Sequence, residues 1–272
     1  MATWIPISDP DDPRLEPYRD LKQKSREIQA NYFIAEGEKL VRRLFVSRFP
    51  VESLVVSDRF AEGEKLDFVG LDGTNVYVVE HSRIEALIGF RFHRGVLACG
   101  RRLPGIGLEE LVRPDDPTQL FVVCPVIHDP ENLGTILRTS AAFGVDGILV
   151  GNACPDLFSR RILRVSMGSV LEQKIHRSDD LGRDVQILRD RWGFEIAATV
   201  LERTAEPLSK ARRSGRLALL FGTEGDGLSQ EWLELADRRL TIPMEPGTDS
   251  LNVAVAAGIV LHHFLRGSDL GP

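Results

Sequence analysis

The sequence predicts an α/β protein whose C-terminal part is a mostly parallel sheet with helices on both faces. Three observations favour this fold class. Residues 119–127 form a nearly continuous apolar run, as expected for a strand buried on both faces of a sheet. A helix signal follows at residues 129–130 and a second strand signal at 147–150, which together make a parallel strand–helix–strand unit. Strand and helix signals then alternate through most of the remaining chain.

The signals before this sheet predict a smaller α/β module. Residues 1–19, with four prolines and several acidic residues, are predicted to be an irregular leader. Residues 20–103 alternate between helix and strand patterns. Residues 104–117 carry glycines and prolines around a short helical pattern, which predicts a linker. Within the module, helices are predicted at 20–31, 37–48 and 82–88, and strands at 53–57, 75–79 and 95–99.

Residues 118–272 are predicted to form the second module. Asp129 is placed as a helix N-cap with Pro130 at the first helical position, and Gly144 ends that helix. Residues 251–265 are apolar almost all round, so this last helix should be buried in a core or a subunit interface. The other elements are strands at 195–200, 217–221 and 240–243 and helices at 157–167, 181–192, 229–237 and 251–266.

Composition excludes several classes of protein. The chain has 272 residues, of which 43% are apolar and 27% charged, so whole-chain disorder, collagen and coiled coil are excluded. No apolar run reaches the roughly 18 to 20 residues of a membrane span. The three cysteines lack metal-site spacing, and the acidic start is not a signal or transit peptide, so we expect a protein of the reducing cytoplasm. A net charge of −6 neither indicates nor excludes a nucleic-acid partner, since local patches bind phosphate.

The first segment whose residues could take part in binding or catalysis follows the strand at 119–127. Asn132 falls in the first turn of the next helix, where free backbone N–H groups and the positive dipole end favour an anionic partner. Arg138 lies further along the same helix among apolar and small residues. The alternative is an ordinary first-turn asparagine and an arginine that reaches solvent.

The second segment is a glycine loop, with Gly222, Gly225 and Gly227 between a predicted strand and a predicted helix. Glycines there allow a ligand to approach the backbone closely. The spacing is G-x-x-G-x-G rather than the dinucleotide fingerprint G-x-G-x-x-G, so a plain Rossmann site is poorly supported. A tight turn without a ligand is the alternative.

The third segment joins the strand at 240–243 to the last helix. The strand ends at a proline, a turn-rich loop follows, and Ser250 can cap the helix that begins at Leu251. Alanines and Gly258 permit close packing of that helix.

Together, the three segments resemble the signature motifs of the SpoU/TrmH family of RNA ribose 2′-O-methyltransferases, in the knotted SPOUT class. The resemblance spans about residues 118–266, and residues 164–169 resemble the family's R-x-S-x-G segment. The N-terminal module is similar to the small ribosomal-protein-like α/β domain that often precedes the catalytic domain. The matching residues are Asn132, Gly134 and Arg138; Gly222, Glu224, Gly225, Gly227 and Leu228; and 242–244 with 250–254.

The resemblance implies a trefoil knot that holds S-adenosylmethionine (SAM) through backbone groups of the second and third motifs. It assigns cofactor contacts to Gly222, Ile242 and Leu251, with Thr199 and Met244 as further contacts. No motif requires a metal. A branched side chain at Gly222 should abolish cofactor binding.

The resemblance also places Arg138 beside the target ribose as the catalytic residue. Arginine stays protonated and is a poor general base alone, so positioning of the substrate phosphate is the better-founded role. The remaining polar residues of the motifs would orient Arg138, the ribose or the loops: Asn132, Glu224, Ser250 and Asn252.

Local basic clusters are expected to bind the RNA. Those that adjoin family-like segments rank highest, although a solvated surface is the alternative for each. They comprise Arg91, Arg94, Arg101, Arg102, Arg160 and Arg164.

The sequence thus predicts a two-domain SAM-dependent RNA 2′-O-methyltransferase that acts on tRNA or rRNA as a homodimer, paired through the C-terminal domain. The main alternative is a non-catalytic RNA-binding protein with the same fold. A nucleotide-dependent oxidoreductase is a weaker alternative, because no first strand–helix unit carries its fingerprint.

Overall fold

The chain folds into two α/β units in a computed structural model that describes residues 2–21, 26–63, 70–89, 91–92, 95–213, 215–245, 247 and 250–265. Unit 1 comprises Met1–Pro104 and Phe158–Glu172, and unit 2 comprises Gly105–Leu157 and Gln173–Pro272. Within the described residues, no helix combines the length and the apolar character needed to cross a membrane.

Unit 1 is built on a five-stranded mixed sheet in the order β1-β4-β3-β5-β2. Strands β1, β4 and β3 are mutually parallel, and β5 runs antiparallel to both β3 and β2. The elements are β1 (Thr3–Ile7), α1 (Arg26–Asn31), β2 (Tyr32–Glu36), α2 (Glu38–Val46), β3 (Val51–Ser57), α3 (Asp58–Gly63), β4 (Asn75–Val79), α4 (His81–Ile88) and β5 (Val96–Arg101).

The expected irregular leader instead contributes regular structure to unit 1. Strand β1 extends the sheet beside β4, and a 3₁₀ helix at Pro13–Tyr18 buries Leu15 and Tyr18 in the core. The Tyr18 hydroxyl donates to the Ser53 carbonyl at 2.8 Å. The prolines predicted loops, but β1 is an edge strand, where a proline is tolerated because a missing N–H breaks no central ladder.

Unit 2 is a seven-stranded sheet, parallel throughout its described pairings, in the order β10-β12-β9-β11-β6-β7-β8. This confirms the predicted parallel sheet with flanking helices. Its central strands are fully buried, which explains their continuous apolar sequence. The elements are α5 (Leu108–Leu111), β6 (Leu120–Cys124), α6 (Pro130–Phe143), β7 (Gly147–Gly151), β8 (Ile175–Ser178), α8 (Leu181–Trp192), β9 (Glu195–Thr199), β10 (Glu206–Pro207), β11 (Leu217–Leu220), α9 (Gln230–Leu235), β12 (Arg238–Thr241) and α10 (Val253–Leu265).

Helix α6 begins and ends as predicted. The Asp129 side chain accepts a hydrogen bond from the Glu131 N–H at 2.8 Å, and Pro130 opens the helix. Gly144 ends it with a φ of 75°, in the left-handed region that glycine adopts without strain. The start of α6 is therefore firmly set at the carboxyl end of β6.

The expected linker at 104–117 contains a short helix that belongs to unit 2. Leu108, Leu111 and Val112 are buried in one of the hydrophobic cores of that unit. The Arg216 guanidinium donates to backbone carbonyls at residues 113, 114 and 116, which fixes the rest of the segment. Apolar side chains every third or fourth residue outweigh the surrounding prolines and glycines.

Residues 158–172 return to unit 1, although the sequence placed them in the second module. The Phe158 ring stacks on Phe33 at 4.8 Å between centroids and meets Phe49 at 5.2 Å. Helix α7 (Arg160–Val165) begins after Ser159, whose side chain accepts from the Ile162 N–H. The segment belongs to unit 1 because its aromatic side chain packs on residues far away in the chain. A local sequence pattern does not indicate such packing.

Candidate functional site

The three predicted motifs meet at one edge of the parallel sheet of unit 2. They follow β6, β11 and β12, and in this sheet β11 pairs with β6 while β9 separates β11 from β12. Parallel strands present their carboxyl ends at the same edge, where open α/β sheets bind ligands. The sheet therefore brings together residues that lie about a hundred positions apart.

Glu224 of the glycine loop fastens the second motif to the start of α6. Its carboxylate accepts hydrogen bonds from the Asn132 side-chain amide at 2.9 Å and from the Asp129 N–H at 3.1 Å. The His128 N–H contributes a third, longer bond of 3.3 Å. Free N–H groups at a helix N-terminus favour an anion, and here a side chain of the same chain supplies it.

These hydrogen bonds favour the ionised form of Glu224. Partial burial acts to raise the pKa of the carboxyl group, but the bonds from Asn132 and from the N–H groups of Asp129 and His128 outweigh it, so the pKa lies below its ordinary value of 4.5. Glu224 is therefore a carboxylate at neutral pH whose acceptor positions are largely occupied.

Asn132 extends the network to the third motif. Its side-chain oxygen accepts a hydrogen bond of 2.8 Å from the Asn252 amide. The Asn252 oxygen in turn accepts from the N–H groups of Ala254 and Val255, so Asn252 caps α10. Because each amide uses both of its ends, the orientation of Asn132 and Asn252 is fixed by their partners.

The glycine loop folds back on itself at Gly222. A Cβ atom there would lie 2.3 Å from the Gly227 carbonyl carbon and 2.5 Å from the Leu228 nitrogen. The Thr223 N–H closes the loop by donating to the Gly227 oxygen at 2.9 Å. Gly222 thus leaves space for the backbone of its own loop, and the loop needs this glycine whether or not a ligand is bound.

A cavity of about 450 Å³ opens between these loops. All five residues predicted to hold the cofactor line it, and so do Glu224 and Ser250. The Thr199 hydroxyl donates to the Leu220 carbonyl at 2.8 Å. The predicted cofactor residues on its wall are Thr199, Gly222, Ile242, Met244 and Leu251.

Much of the cavity wall was not predicted from the sequence. Leu201 and Leu208 come from the stretch after β9, and Val253, Ala256 and Val260 come from α10. These residues are ordinary core types, and only the fold shows which of them face a cavity. The wall also includes Glu202, whose carboxylate is bound by Arg239.

Arg138 lies exposed on α6, six residues beyond Asn132. It is not among the residues that line the cavity. Asn132 and Asn252 do not line the cavity either; their hydrogen bonds connect the loops that carry the motifs. Glu224 therefore belongs both to the cavity wall and to the polar network, whereas Asn132, Asn252 and the exposed Arg138 lie outside the wall.

The predicted RNA-binding arginines that the structure describes all belong to unit 1. Arg91 and Arg164 are exposed, and Arg102 covers the Phe158 ring at 4.9 Å. Arg101 pairs with Glu52 at 2.8 Å, and Arg160 pairs with Glu36 at 2.7 Å. Arg94 lies outside the described residues.

The described part of the chain holds no group of three or more His, Cys, Asp or Glu side chains arranged to bind a metal ion. Cys99, Cys124 and Cys154 are buried free thiols, and burial raises the pKa of Cys124 and of Cys154.

Comparison with known proteins places this site in a family. The model of the SpoU rRNA methylase family matches residues 119–262. An uncharacterized tRNA/rRNA methyltransferase of Mycobacterium tuberculosis is 36% identical over 98% of this chain and 93% of its own length. The 23S rRNA (guanosine(2553)-2′-O)-methyltransferase of Bacillus subtilis is 29% identical over 93% of this chain and 96% of its own length.

Solved structures agree with these matches. The AdoMet-bound rRNA methyltransferase of Sinorhizobium meliloti superimposes with a TM-score of 0.80 and 28% identity. The superposition covers 98% of this chain and 99% of that chain. The likeness therefore extends over both units.

Proposed function

Because the chain belongs to the SpoU rRNA methylase family, it is a SAM-dependent RNA ribose 2′-O-methyltransferase, and we propose how its residues divide the work. One observation carries the proposal: hydrogen bonds from Glu224 through Asn132 to Asn252 join all three motifs beside the cavity.

The cavity fits the cofactor. Its volume of about 450 Å³ lies within the range of about 300–1,000 Å³ typical of small-molecule sites, and its wall is mainly apolar with a few polar groups. We assign the cofactor to the backbone and side chains of Gly222, Ile242 and Leu251, with Thr199 and Met244 beside them. Bound SAM supplies the activated methyl group that is transferred. The trefoil knot stays a prediction.

Arg138 is assigned to the RNA. The reaction needs the ribose hydroxyl held in near-attack geometry and its proton released to the substrate phosphate or to solvent, and a permanently charged, bidentate donor suits the phosphate next to that ribose. Arg138 is exposed, as a residue that receives a large substrate must be. It acts by positioning and by charge, because a guanidinium does not take up a proton.

Asn132, Glu224 and Asn252 are assigned as positioning residues. Glu224 has its carboxylate occupied by three donors, so it holds the loop rather than accepting a substrate proton. Ser250 lines the cavity and is exposed, which leaves its hydroxyl available to the cofactor or the ribose.

Structured RNA, either tRNA or rRNA, is the proposed substrate, and the cytoplasm is the proposed compartment. The Bacillus subtilis relative is named for a 23S rRNA guanosine, and the mycobacterial one for tRNA or rRNA. Recognition of the RNA is assigned to arginines of unit 1: Arg91, Arg94, Arg101, Arg102, Arg160 and Arg164.

Cofactor binding tests this proposal at its first step. Titration calorimetry should show binding of SAM and of its demethylated product, and no binding of NAD, because the glycine loop lacks the dinucleotide spacing. Tight NAD binding without SAM binding would support an oxidoreductase instead and would overturn the assignment.

A two-fold dimer through unit 2 is also proposed, and α10 supports it. That helix buries Ala257, Leu261 and Phe264 in its own unit, yet Val255 and Ile259 are 52% and 40% exposed. Residues four apart share a helix face, so the two form an apolar stripe suited to a second copy of the chain.

Light scattering at micromolar concentration should therefore give about twice the 30.3 kDa chain mass. Val255→Glu combined with Ile259→Glu should give the monomer, because both side chains are already exposed and folding should survive. Val46→Glu is the matched control, since Val46 is a 67% exposed apolar residue of unit 1. A wild-type monomer would contradict the dimer.

A further inference from the structure

Three phenylalanines of unit 1 form a cluster that carries arginines on its surface. Phe33 and Phe158 stack at 4.8 Å, and Phe49 meets Phe33 edge-on at 5.6 Å between centroids. The Arg48 guanidinium lies 5.0 Å from the Phe49 centroid, and that of Arg102 lies 4.9 Å from the Phe158 centroid. Both arginines are thus held by cation–π contacts that leave their planar groups at the surface.

The segment 158–172 is anchored to α2 at its other end. Arg43 donates to the Met167 carbonyl at 2.6 Å. Gly168 has a φ of 80°, and a Cβ atom there would lie 2.5 Å from the Leu40 side chain and 3.2 Å from that of Arg43. The positive φ favours glycine at this position, and the contacts with Leu40 and Arg43 place residues 167–168 against α2.

Helix α7 in this segment has distinct inner and outer sides. Ile162 and Leu163 are buried, and Arg160 pairs with the half-buried Glu36, so these residues secure the helix. Arg161 and Arg164 are exposed and lie three residues apart, on one face. The helix therefore presents two positive charges outward from a fixed position.

The face formed by α2, α7 and the end of β5 is locally positive, although the whole chain has a net charge of −6. Among the described residues, the arginines of this face outnumber the glutamates that accompany them. The arginines are Arg42, Arg43, Arg48, Arg102, Arg160, Arg161 and Arg164; the glutamates are Glu36, Glu38 and Glu172.

We propose that this arginine face binds the sugar–phosphate backbone of the RNA substrate, and that residues 158–172 serve RNA recognition although they lie inside the catalytic family's match. The inference rests on the proposed function for its ligand. Arginines bind phosphate in a bidentate fashion, and neutralised phosphates supply most of the affinity of proteins for nucleic acids. Arg161 and Arg164 are the outward contacts, and Arg160 positions α7 through Glu36.

The test compares two double variants that change the net charge equally. Arg161→Glu with Arg164→Glu alters the face, whereas Arg183→Glu with Arg191→Glu alters the exposed side of α8 in unit 2. Filter binding of purified bacterial rRNA and of total tRNA is measured between 50 and 200 mM salt, and SAM affinity is measured by calorimetry.

The Arg161/Arg164 variant should bind RNA at least about ten-fold more weakly than wild type. Its log–log salt dependence should be shallower by about two, one for each lost phosphate contact. The control should stay within about two-fold, and both variants should retain wild-type SAM affinity. Arg161→Gln with Arg164→Gln should give an intermediate loss, which separates lost contacts from a folding defect.

If the Arg161/Arg164 variant binds RNA as well as the control does, the assignment of the arginine face to RNA is overturned. An acidic protein partner would then be favoured for this face. Wild-type protein that binds SAM but no RNA would overturn the assignment as well. A wild-type protein that does not bind SAM would instead count against the proposed function.

Discussion

Replacing Gly222 with alanine is expected to weaken cofactor binding, and Gly222→Val is expected to abolish it. The new Cβ atom would lie 2.3–2.5 Å from backbone atoms of Gly227 and Leu228, and backbone cannot turn away as a side chain can. The loop has to open, which displaces the cavity wall on both sides of Glu224. Overpacking typically costs about 1–3 kcal/mol, so SAM affinity should fall by about five- to a hundred-fold, and further in Gly222→Val.

Gly225→Ala is the control within the same loop, because a Cβ atom at Gly225 has no protein neighbour within 4 Å and would project only into the space beside the cavity wall. This variant should unfold at the wild-type temperature, and calorimetry should show that it keeps more of the SAM affinity than Gly222→Ala does. Equal losses in the two variants would mean that general loop stiffness, and not the close approach at Gly222, sets cofactor affinity.

The parallel sheet was predictable because its strands are buried on both faces and read as continuous apolar runs. Short edge strands were not: β8 carries His176 and Arg177, and β10 has only two residues. Strand β1 was not predictable because it contains a proline, which indicates a loop in a sequence pattern. An edge strand nevertheless tolerates proline.

The polar residues of the site were predictable as a set, but their division of labour was not. The sequence predicts that Glu224, Asn132 and Asn252 orient Arg138, the ribose or the loops, and the structure shows them bonded to one another and to backbone N–H groups. Hydrogen bonds between residues about 90 to 120 positions apart leave no periodic trace in the sequence. Residues 158–172 belong to unit 1 because Phe158 stacks on Phe33. This contact between residues far apart in the chain likewise leaves no periodic pattern in the sequence.

Replacing Arg138 with alanine is expected to stop methyl transfer while SAM binding persists. Arg138 does not line the cavity, so SAM affinity should stay within about two-fold. Loss of one charged group that positions the reacting centre typically lowers the rate by about a hundred- to a thousand-fold. Arg138→Lys should recover part of the rate, because lysine keeps the charge and loses the bidentate geometry.

The most direct measurement is the position of the transferred methyl group. Wild-type protein and Arg138→Ala are each incubated with methyl-labelled SAM and bacterial rRNA or tRNA that lacks the modification, and the RNA is digested to nucleosides. We expect label on a ribose 2′-oxygen with wild-type protein and almost none with Arg138→Ala, at equal SAM occupancy. Label on a base, or SAM binding by the wild type without transfer to either RNA, would contradict it; the second result would favour a non-catalytic RNA-binding protein.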